Sequence, residues 1–267
     1  MKKMKWTVIT LAASLLIMTF AAAAQATVLR AFVSSTGNDV NIGANCVQAS
    51  PCKTFAVAIG AVTAGGELIA LDTSGYGPLT INKAITIATV PGATAFVVAA
   101  TGTVAFLIQA GATDLVVLRN INFNGSNAAG TTGVQNNSGK LEVHDCKFSQ
   151  LTVGIFLFNS KADLYNCILT GNTTAVSVNG AGMDISNAAS VSSALLTIAF
   201  GSITWNGTAI SVANPGSNPT FNVWLLGPSN QSWYTNLGQN GTLISGTGTG
   251  CPCTLVGTYT GNSGSPH

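Results

Sequence analysis

Charged side chains are scarce in this chain. Lys, Arg, Asp and Glu make up 7% of its 267 residues, and the formal net charge is only +2. Lys2, Lys3 and Lys5 supply three of the ten basic residues, so the rest of the chain carries seven basic and eight acidic residues. Proteins that bind nucleic acid or anionic lipid present a strongly basic surface. The composition therefore argues against both kinds of partner.

Long apolar runs are also rare, and the one at residues 8–24 lies between a basic start and the small residues Ala24 and Ala26. This order is typical of a secretory signal peptide, and the run is short for a membrane-spanning helix. The alternative is a retained anchor. We expect residues 1–26 to be removed and the protein to be exported to the periplasm, the cell surface or the medium, with no membrane insertion after cleavage.

Export favours disulfide bonds, and the chain has six cysteines. Cys46 and Cys52 bracket a short loop that a disulfide would close. Cys251 and Cys253 are separated by Pro252 alone and cannot easily bridge each other. They either pair elsewhere or, in the alternative, bind a soft metal through their thiolates. No metal site is among the predicted sites.

A short motif recurs about every twenty residues. It occupies residues 118–123 and returns at residues 143–148 and 164–169. A second series of small residues, at Gly133 and Gly154, keeps a step of 21. Short apolar runs separated by turn residues at such a period are typical of a solenoid. We therefore predict an all-β fold, a right-handed parallel β-helix.

The alternation of inward and outward side chains breaks once in each repeat, at Asn120, Asp145 and Asn166. Asn and Asp tolerate a left-handed backbone and can hydrogen-bond it locally. The chain is predicted to bend at these residues, which would form a polar ladder. The inward side chains of the first repeat are Val116, Leu118, Ile121 and Phe123.

Cys146 and Cys167 follow two of these turns and are predicted to point into the core. On stacked strands about 4.8 Å apart their Cα atoms would lie within disulfide range. Parallel side chains, however, tend to hold the Cβ atoms too far apart. A disulfide and a reduced, buried stack are both compatible with the spacing.

A short amphipathic helix is predicted after Ser50-Pro51, which suit an N-cap and a first turn. The helix would cap the first coil of the solenoid, whose core and strand edge are otherwise exposed. Its apolar face recurs at helical spacing in Phe55, Ala58, Ile59 and Val62. The predicted units are a cap at residues 27–65, the β-helix at 66–226 and a Gly/Ser/Thr-rich C-terminal cap or tail at 227–267.

The capping helix, residues 65–71, residues 79–87 and the asparagine-type turns together resemble the parallel β-helix proteins of the pectin-lyase-like superfamily. The resemblance covers roughly residues 51–226 and implies the fold. It does not imply one activity, because this scaffold carries lyases, hydrolases and proteins without catalysis.

Active members of that superfamily carry calcium-binding carboxylates with an Arg or Lys base, or paired carboxylates, on one exposed sheet. The two-Asp and Gly-His-Gly motifs of polygalacturonases are absent here, and no cofactor is predicted. The outward residues at the corresponding positions are Gln135, Phe156, Ser177 and Ser211, none of them an acid or a base.

Polar residues gather instead on another strand set. One interpretation is acid-base catalysis by His144 beside Glu142 or Asp163, with Arg119 nearby. The other is a solvated face whose charges keep a β-rich surface soluble. The candidate ligand-binding residues are Phe156, Tyr165, Gln135 and Lys147.

Phe156 points outward by alternation and would offer a platform for the apolar face of a sugar, unless a loop from an insertion near residues 187–193 covers it. We therefore expect an exported, non-catalytic protein that binds a polysaccharide, a cell-surface glycan or another surface partner along its sheets. The alternatives are a polysaccharide lyase or glycoside hydrolase with an atypical site, and a structural surface protein.

Overall fold

The structure is a computed structural model of the chain. The predicted signal peptide, the insertion near residues 187–193 and Cys251 lie outside the residues that it describes. Those residues are 27–158, 160–179, 195–199, 202–204, 206–213, 221–226, 235–236, 242–247, 253–257 and 259–260.

The strands form three parallel sheets, in which each strand pairs with the equivalent strand of the preceding and following coil. The predicted all-β parallel β-helix is confirmed. Sheet A contains β1 (Val28–Val33), β2 (Val62–Ala70), β5 (Ile85–Thr89), β8 (Leu115–Arg119), β11 (Lys140–His144), β14 (Lys161–Tyr165), β17 (Leu195–Ala199), β20 (Phe221–Leu226) and β23 (Cys253–Gly257). Sheet B contains β3 (Ser74–Gly75), β6 (Ala95–Val98), β9 (Ile121–Asn124), β12 (Lys147–Ser149), β15 (Ile168–Thr170), β18 (Ser202–Thr204), β21 (Thr235–Asn236) and β24 (Tyr259–Thr260). Sheet C contains β4 (Leu79–Ile81), β7 (Val104–Ile108), β10 (Thr132–Asn136), β13 (Val153–Phe158), β16 (Thr174–Asn179), β19 (Thr208–Ala213) and β22 (Thr242–Thr247).

The core consists of the inward side chains of successive coils. The four residues predicted to point inward in the first repeat, at positions 116, 118, 121 and 123, are fully buried. Phe106 packs edge-on against Phe123, and Phe123 stacks on Phe148 with ring centroids 4.8 Å apart. Aromatic pairs of this kind add stability beyond the area that they bury. A column of rings therefore ties neighbouring coils together.

The predicted turns are confirmed, with left-handed φ angles of 56° at Asn120, 55° at Asp145 and 52° at Asn166. Asn166 donates from Nδ2 to Oδ1 of Asp145 at 2.7 Å. Asn120 does not join this ladder, because its Nδ2 donates to Oγ1 of Thr89 at 2.7 Å and to the carbonyl oxygen of Ala93. The expected continuous ladder is thus wrong at Asn120, where the preceding coil supplies the acceptors.

Helix α1 (Phe55–Ala58) is shorter than predicted and starts later. Its N-cap is Thr54, whose Oγ1 accepts from the backbone N–H of Val57, so the expected cap at Ser50-Pro51 is wrong. Asp39 explains the difference, because its carboxylate accepts hydrogen bonds from the backbone of Lys53 and from the backbone and hydroxyl of Thr54.

A 3-10 turn, Ile59–Ala61, follows α1, and strand β2 begins at once at Val62. The expected position of Val62 on the apolar face of the helix is therefore wrong. Lys83 fixes the junction, because its Nζ donates to the carbonyl oxygens of Ile59 and Val62 at 2.8 and 2.6 Å.

Cys46 and Cys52 form the predicted disulfide. The loop that they close covers the outer edge of β1, a strand that the sequence did not predict. Phe32 of β1 donates to the carbonyl oxygen of Cys46 at 2.8 Å and accepts from the N–H of Cys52 at 3.0 Å. An unpaired strand edge invites pairing with another chain. The disulfide loop blocks part of that edge.

The boundary expected at residue 226 does not end the sheets. Strands β21 to β24, between residues 235 and 260, continue all three of them. In the part of the chain that the structure describes, no helix has the length and apolar character needed to cross a membrane.

Candidate functional site

Charge is unequally distributed over the three sheets. Among the described strands, sheet C contains no Lys, Arg, Asp, Glu or His, and sheet B contains only Lys147. Sheet A has two distinct electrostatic environments, an ion pair between Arg30 and Glu67 near its N-terminal edge and a polar patch further along. The candidate residues therefore belong to separate surfaces, described in turn below.

An open groove of about 400 Å³ lies on the outer face of sheet C. Gln135 is the register neighbour of Phe156, and Phe158 is the register neighbour of Asn179. Gln135 donates from Nε2 to Oδ1 of Asn137 at 2.9 Å. The lining residues are Gln135, Asn137, Phe156, Phe158 and Asn179.

Alternation along β13 places both rings. Ile155 and Leu157 are fully buried, so Phe156 and Phe158 point outward, and Phe158 is 40% exposed. Phe156 is half-buried between its neighbours on β10 and β16. Aromatic faces bind the apolar C–H faces of sugars, and amide groups both donate to and accept from hydroxyls. The groove has both elements.

Two lining residues, Asn137 and Asn179, were missed from the sequence. The 21-residue step could have found them, because it relates Asn137 to Phe158 and Phe158 to Asn179. A second outward column lies beside this one and crosses six strands without a charge. Its members, in register order, are Thr80, Leu107, Gln135, Phe156, Ser177 and Ser211.

The polar patch of sheet A spans strands β8, β11 and β14. Its register rows bring the predicted neighbours together, and they add Lys140 and Lys161, which the same alternation could have identified. The rows are Arg119–His144–Tyr165, Val117–Glu142–Asp163 and Leu115–Lys140–Lys161.

His144 lies at the centre of the patch. Its Nε2 is 3.4 Å from Oε2 of Glu142, and its ring stacks on Tyr165 with centroids 4.7 Å apart. Desolvation raises the pKa of Tyr165, and the carboxylates of Asp163 and Glu142 raise it further. The phenol therefore stays protonated at neutral pH and is no base.

Like charges are adjacent in two rows of the patch, Lys140 beside Lys161 and Glu142 beside Asp163. Desolvation lowers the pKa of Lys161, and Lys140 lowers it further, against the opposing effect of Asp163. Within the described residues, no group of three or more His, Cys, Asp or Glu side chains is placed to hold a metal ion. Arg119 is exposed and has no carboxylate within 4 Å in that part of the chain.

The four candidate ligand-binding residues do not form one site. Gln135 and Phe156 are neighbours on sheet C, Tyr165 belongs to sheet A and Lys147 to sheet B. The alternation of inward and outward residues along each strand predicts that all four side chains point outward. The corners between the sheets decide which of them share a surface.

Cys146 and Cys167 are buried free thiols, the reduced form of the two alternatives. Their Sγ atoms donate to the carbonyl oxygens of His144 at 3.2 Å and Val143 at 3.3 Å. Burial raises the pKa of Cys146 well above its ordinary value and that of Cys167 to about 12. Both remain protonated, so they pack the core and are not nucleophiles. The side chain of Cys253 lies outside the described residues.

Comparisons of the chain with models of protein families, with curated proteins and with solved structures found no match. The functional argument therefore rests on the fold and its surfaces.

Proposed function

We propose that this is an exported, non-catalytic β-helix protein that binds a glycan in the groove on sheet C. One observation carries the proposal: the outward rings of Phe156 and Phe158 are flanked by the side-chain amides of Gln135, Asn137 and Asn179. The groove thus combines aromatic faces with several amides on one surface.

The groove is preorganised for binding. Four of its five side chains stand on the adjacent, hydrogen-bonded strands β10, β13 and β16, and Asn137 directly follows β10. The inward residues beneath them, Ile155 and Leu157, are fully buried. A rigid surface loses little conformational entropy when it binds a ligand. The rings supply apolar contact, and the amides supply donors and acceptors for hydroxyl groups.

The groove lacks the chemistry for cleaving a glycosidic bond. Hydrolysis uses a pair of carboxyl groups, and elimination uses a base with a charge-stabilising partner. The lining contains only Gln, Asn and Phe. Glu142 and His144 lie on a different sheet. A binding role is the function that fits these residues.

Two observations support the wider setting. The disulfide between Cys46 and Cys52 is of a kind that persists in oxidising compartments, which supports the expected export. The parallel solenoid and its N-terminal helix support a place among right-handed, pectin-lyase-like β-helix proteins.

The test is retention of the purified protein by immobilised neutral and acidic polysaccharides, with new reducing and unsaturated ends measured in the same samples. We expect retention without cleavage. Phe156→Ala should weaken it about tenfold, because an aromatic contact contributes roughly 1 kcal/mol or more. Tyr165→Ala, which removes an aromatic ring from sheet A, is the matched control and should retain full binding.

Two outcomes would overturn the proposal. The first is no retention by any polysaccharide of the panel. The second is the release of new sugar ends that Glu142→Gln or His144→Ala abolishes, since this would place a catalytic site on sheet A.

A further inference from the structure

Sheet C is the uncharged face of the solenoid. From β4 to β22 none of its strands contains an ionisable residue of the acidic or basic types, whereas sheet A contains Arg30, Arg119 and two lysines, among others. The five residues that line the groove are likewise uncharged. The distribution of charge is therefore a property of the whole face and extends beyond the groove.

The lysines nearest to the groove along the chain lie around a fixed corner. Lys140 and Lys161 are the first residues of β11 and β14 and belong to sheet A. At this corner the buried Ser160 donates from Oγ to the carbonyl oxygen of Asn136 at 2.9 Å. Asn136, also buried, donates from Nδ2 to the carbonyl oxygen of Lys161. These hydrogen bonds hold the start of β14 on sheet A.

An acidic sugar would gain no countercharge on sheet C. A carboxylate that leaves water needs an ionic partner or several strong hydrogen bonds, and charge-assisted bonds are about twice as strong as neutral ones. Neutral hydroxyl groups have no such requirement, because each amide of the groove can both donate and accept.

We infer that the ligand of this groove is an uncharged glycan and that the site discriminates against uronates and other acidic polysaccharides. This inference rests on the proposed glycan-binding function and adds the chemical class of the ligand. A preference for an uncharged ligand would also distinguish this protein from β-helix proteins whose exposed sheet carries charged residues.

The experiment uses matched pairs of one polymer. Galactomannan, xyloglucan and soluble starch are each immobilised in native form and after oxidation of their C6 hydroxymethyl groups to carboxylates. We expect the full protein to bind at least one native polymer and its oxidised form about tenfold more weakly. Binding of the native polymer should change less than about twofold between 50 and 500 mM NaCl, because screening acts only on charges.

Two variants test the cause of the discrimination. Ser177→Lys places a cation beside Phe156 in the outward column and should raise retention of the oxidised polymer in a salt-sensitive manner. Thr170→Lys places the same cation on sheet B and should leave that retention unchanged. Lys161→Gln should not alter binding of either form.

The outcomes separate the two claims. One outcome is that an oxidised polymer binds as strongly as its native form, or more strongly, and that this binding is lost in Lys161→Gln or at high salt. That outcome overturns the inference and leaves glycan binding intact. If Ser177→Lys does not raise retention of the oxidised polymer, a missing countercharge is not the cause of the discrimination. Retention of neither form, native or oxidised, overturns the proposed function and this inference with it.

Discussion

Asn172 donates from Nδ2 to Oδ1 of Asn206, 3.0 Å away inside the solenoid. The same side chain donates to the carbonyl oxygen of Phe148 at 3.1 Å and accepts from the N–H of Leu151 at 3.1 Å. Asn172 and Asn206 are each only 3% exposed. Buried backbone groups need partners, and here one amide supplies them for two backbone groups of the preceding coil.

Replacing this amide should therefore be costly. Asn172→Ala leaves the Leu151 N–H and the Phe148 carbonyl without their partner, so we expect a loss of about 3 kcal/mol in the free energy of unfolding. Asn122→Ala, on the outer face of sheet B, should change it by less than about 0.5 kcal/mol. Urea denaturation of both variants measures the difference, and equal midpoints would refute a structural role for the buried Asn172 amide.

The small residues of the 21-residue series are predicted to be required by contact between coils. A Cβ at Gly133 would lie 2.6 Å from the carbonyl oxygen of Gly154 and 2.9 Å from Cδ1 of Phe148. Gly133→Ala should therefore destabilise the protein by about 2 kcal/mol through overpacking. Gly43→Ala, where no atom lies within 4 Å of the added methyl group, is the control. Thermal unfolding compares the two, and an unchanged midpoint for Gly133→Ala would show that the coils can separate.

The disulfide loop should matter for both stability and solubility. Cys46→Ser with Cys52→Ser removes a short covalent loop worth about 2 kcal/mol and loosens the cover over β1, whose edge can then pair with another chain. We expect a lower melting temperature and more aggregation, measured by light scattering. Reductant should have the same effect on the double variant Cys146→Ala with Cys167→Ala. This variant keeps the Cys46–Cys52 disulfide, and the two thiols that it lacks form none. A melting temperature indifferent to reductant would contradict this role.

Asp72 links stability to acid pH. Desolvation raises the pKa of its carboxyl, but hydrogen bonds from Tyr76, Ser34 and Ser35 outweigh it and lower the pKa below the ordinary 3.8. A carboxyl group whose pKa is lower in the folded than in the unfolded protein stabilises the fold at pH values above the unfolded pKa. That stability is lost as the pH falls from 3.8 through the lower folded value.

Asp72→Asn should accordingly lower the melting temperature at pH 7 and have a much smaller effect near pH 2. Asp163→Asn is the control, because this carboxylate accepts no hydrogen bond within the described residues. Scanning calorimetry across this range measures both variants. A constant difference between wild type and Asp72→Asn at every pH would rule out the linkage.

Local chemistry explains what the sequence predicted well. The break in alternation at Asn120 involves only adjacent residues and a side chain suited to positive φ, so the turn could be found without knowing its neighbours. The step from Asn172 to Asn206 is 34 residues, 13 more than the 21-residue step between Gly133 and Gly154. The contact between these two buried asparagines was missed because two polar residues at that distance show no pattern until the coils are stacked.

The rest depends on contacts between distant segments. Strand β1 is held by β2 and by the loop that closes through Cys52, and neither partner is evident from its own residues. The assignment of Lys147 and Tyr165 to different sheets depends on the direction of the corner at Asp145. Alternation predicts only whether a side chain points in or out, so the two asparagines of the groove could be found only with the 21-residue step as well.

The polar patch of sheet A gives the last prediction, which concerns catalysis. Glu142→Gln and His144→Ala remove the carboxylate and the imidazole that lie 3.4 Å apart. Because this pair is on another sheet from the groove, both variants should bind polysaccharide with the affinity of the wild type and release no new sugar ends. Retention assays with reducing-end and absorbance measurements test this directly. Phe156→Ala is the positive control for lost binding, and a Glu142→Gln variant that binds as weakly would place the ligand on sheet A instead.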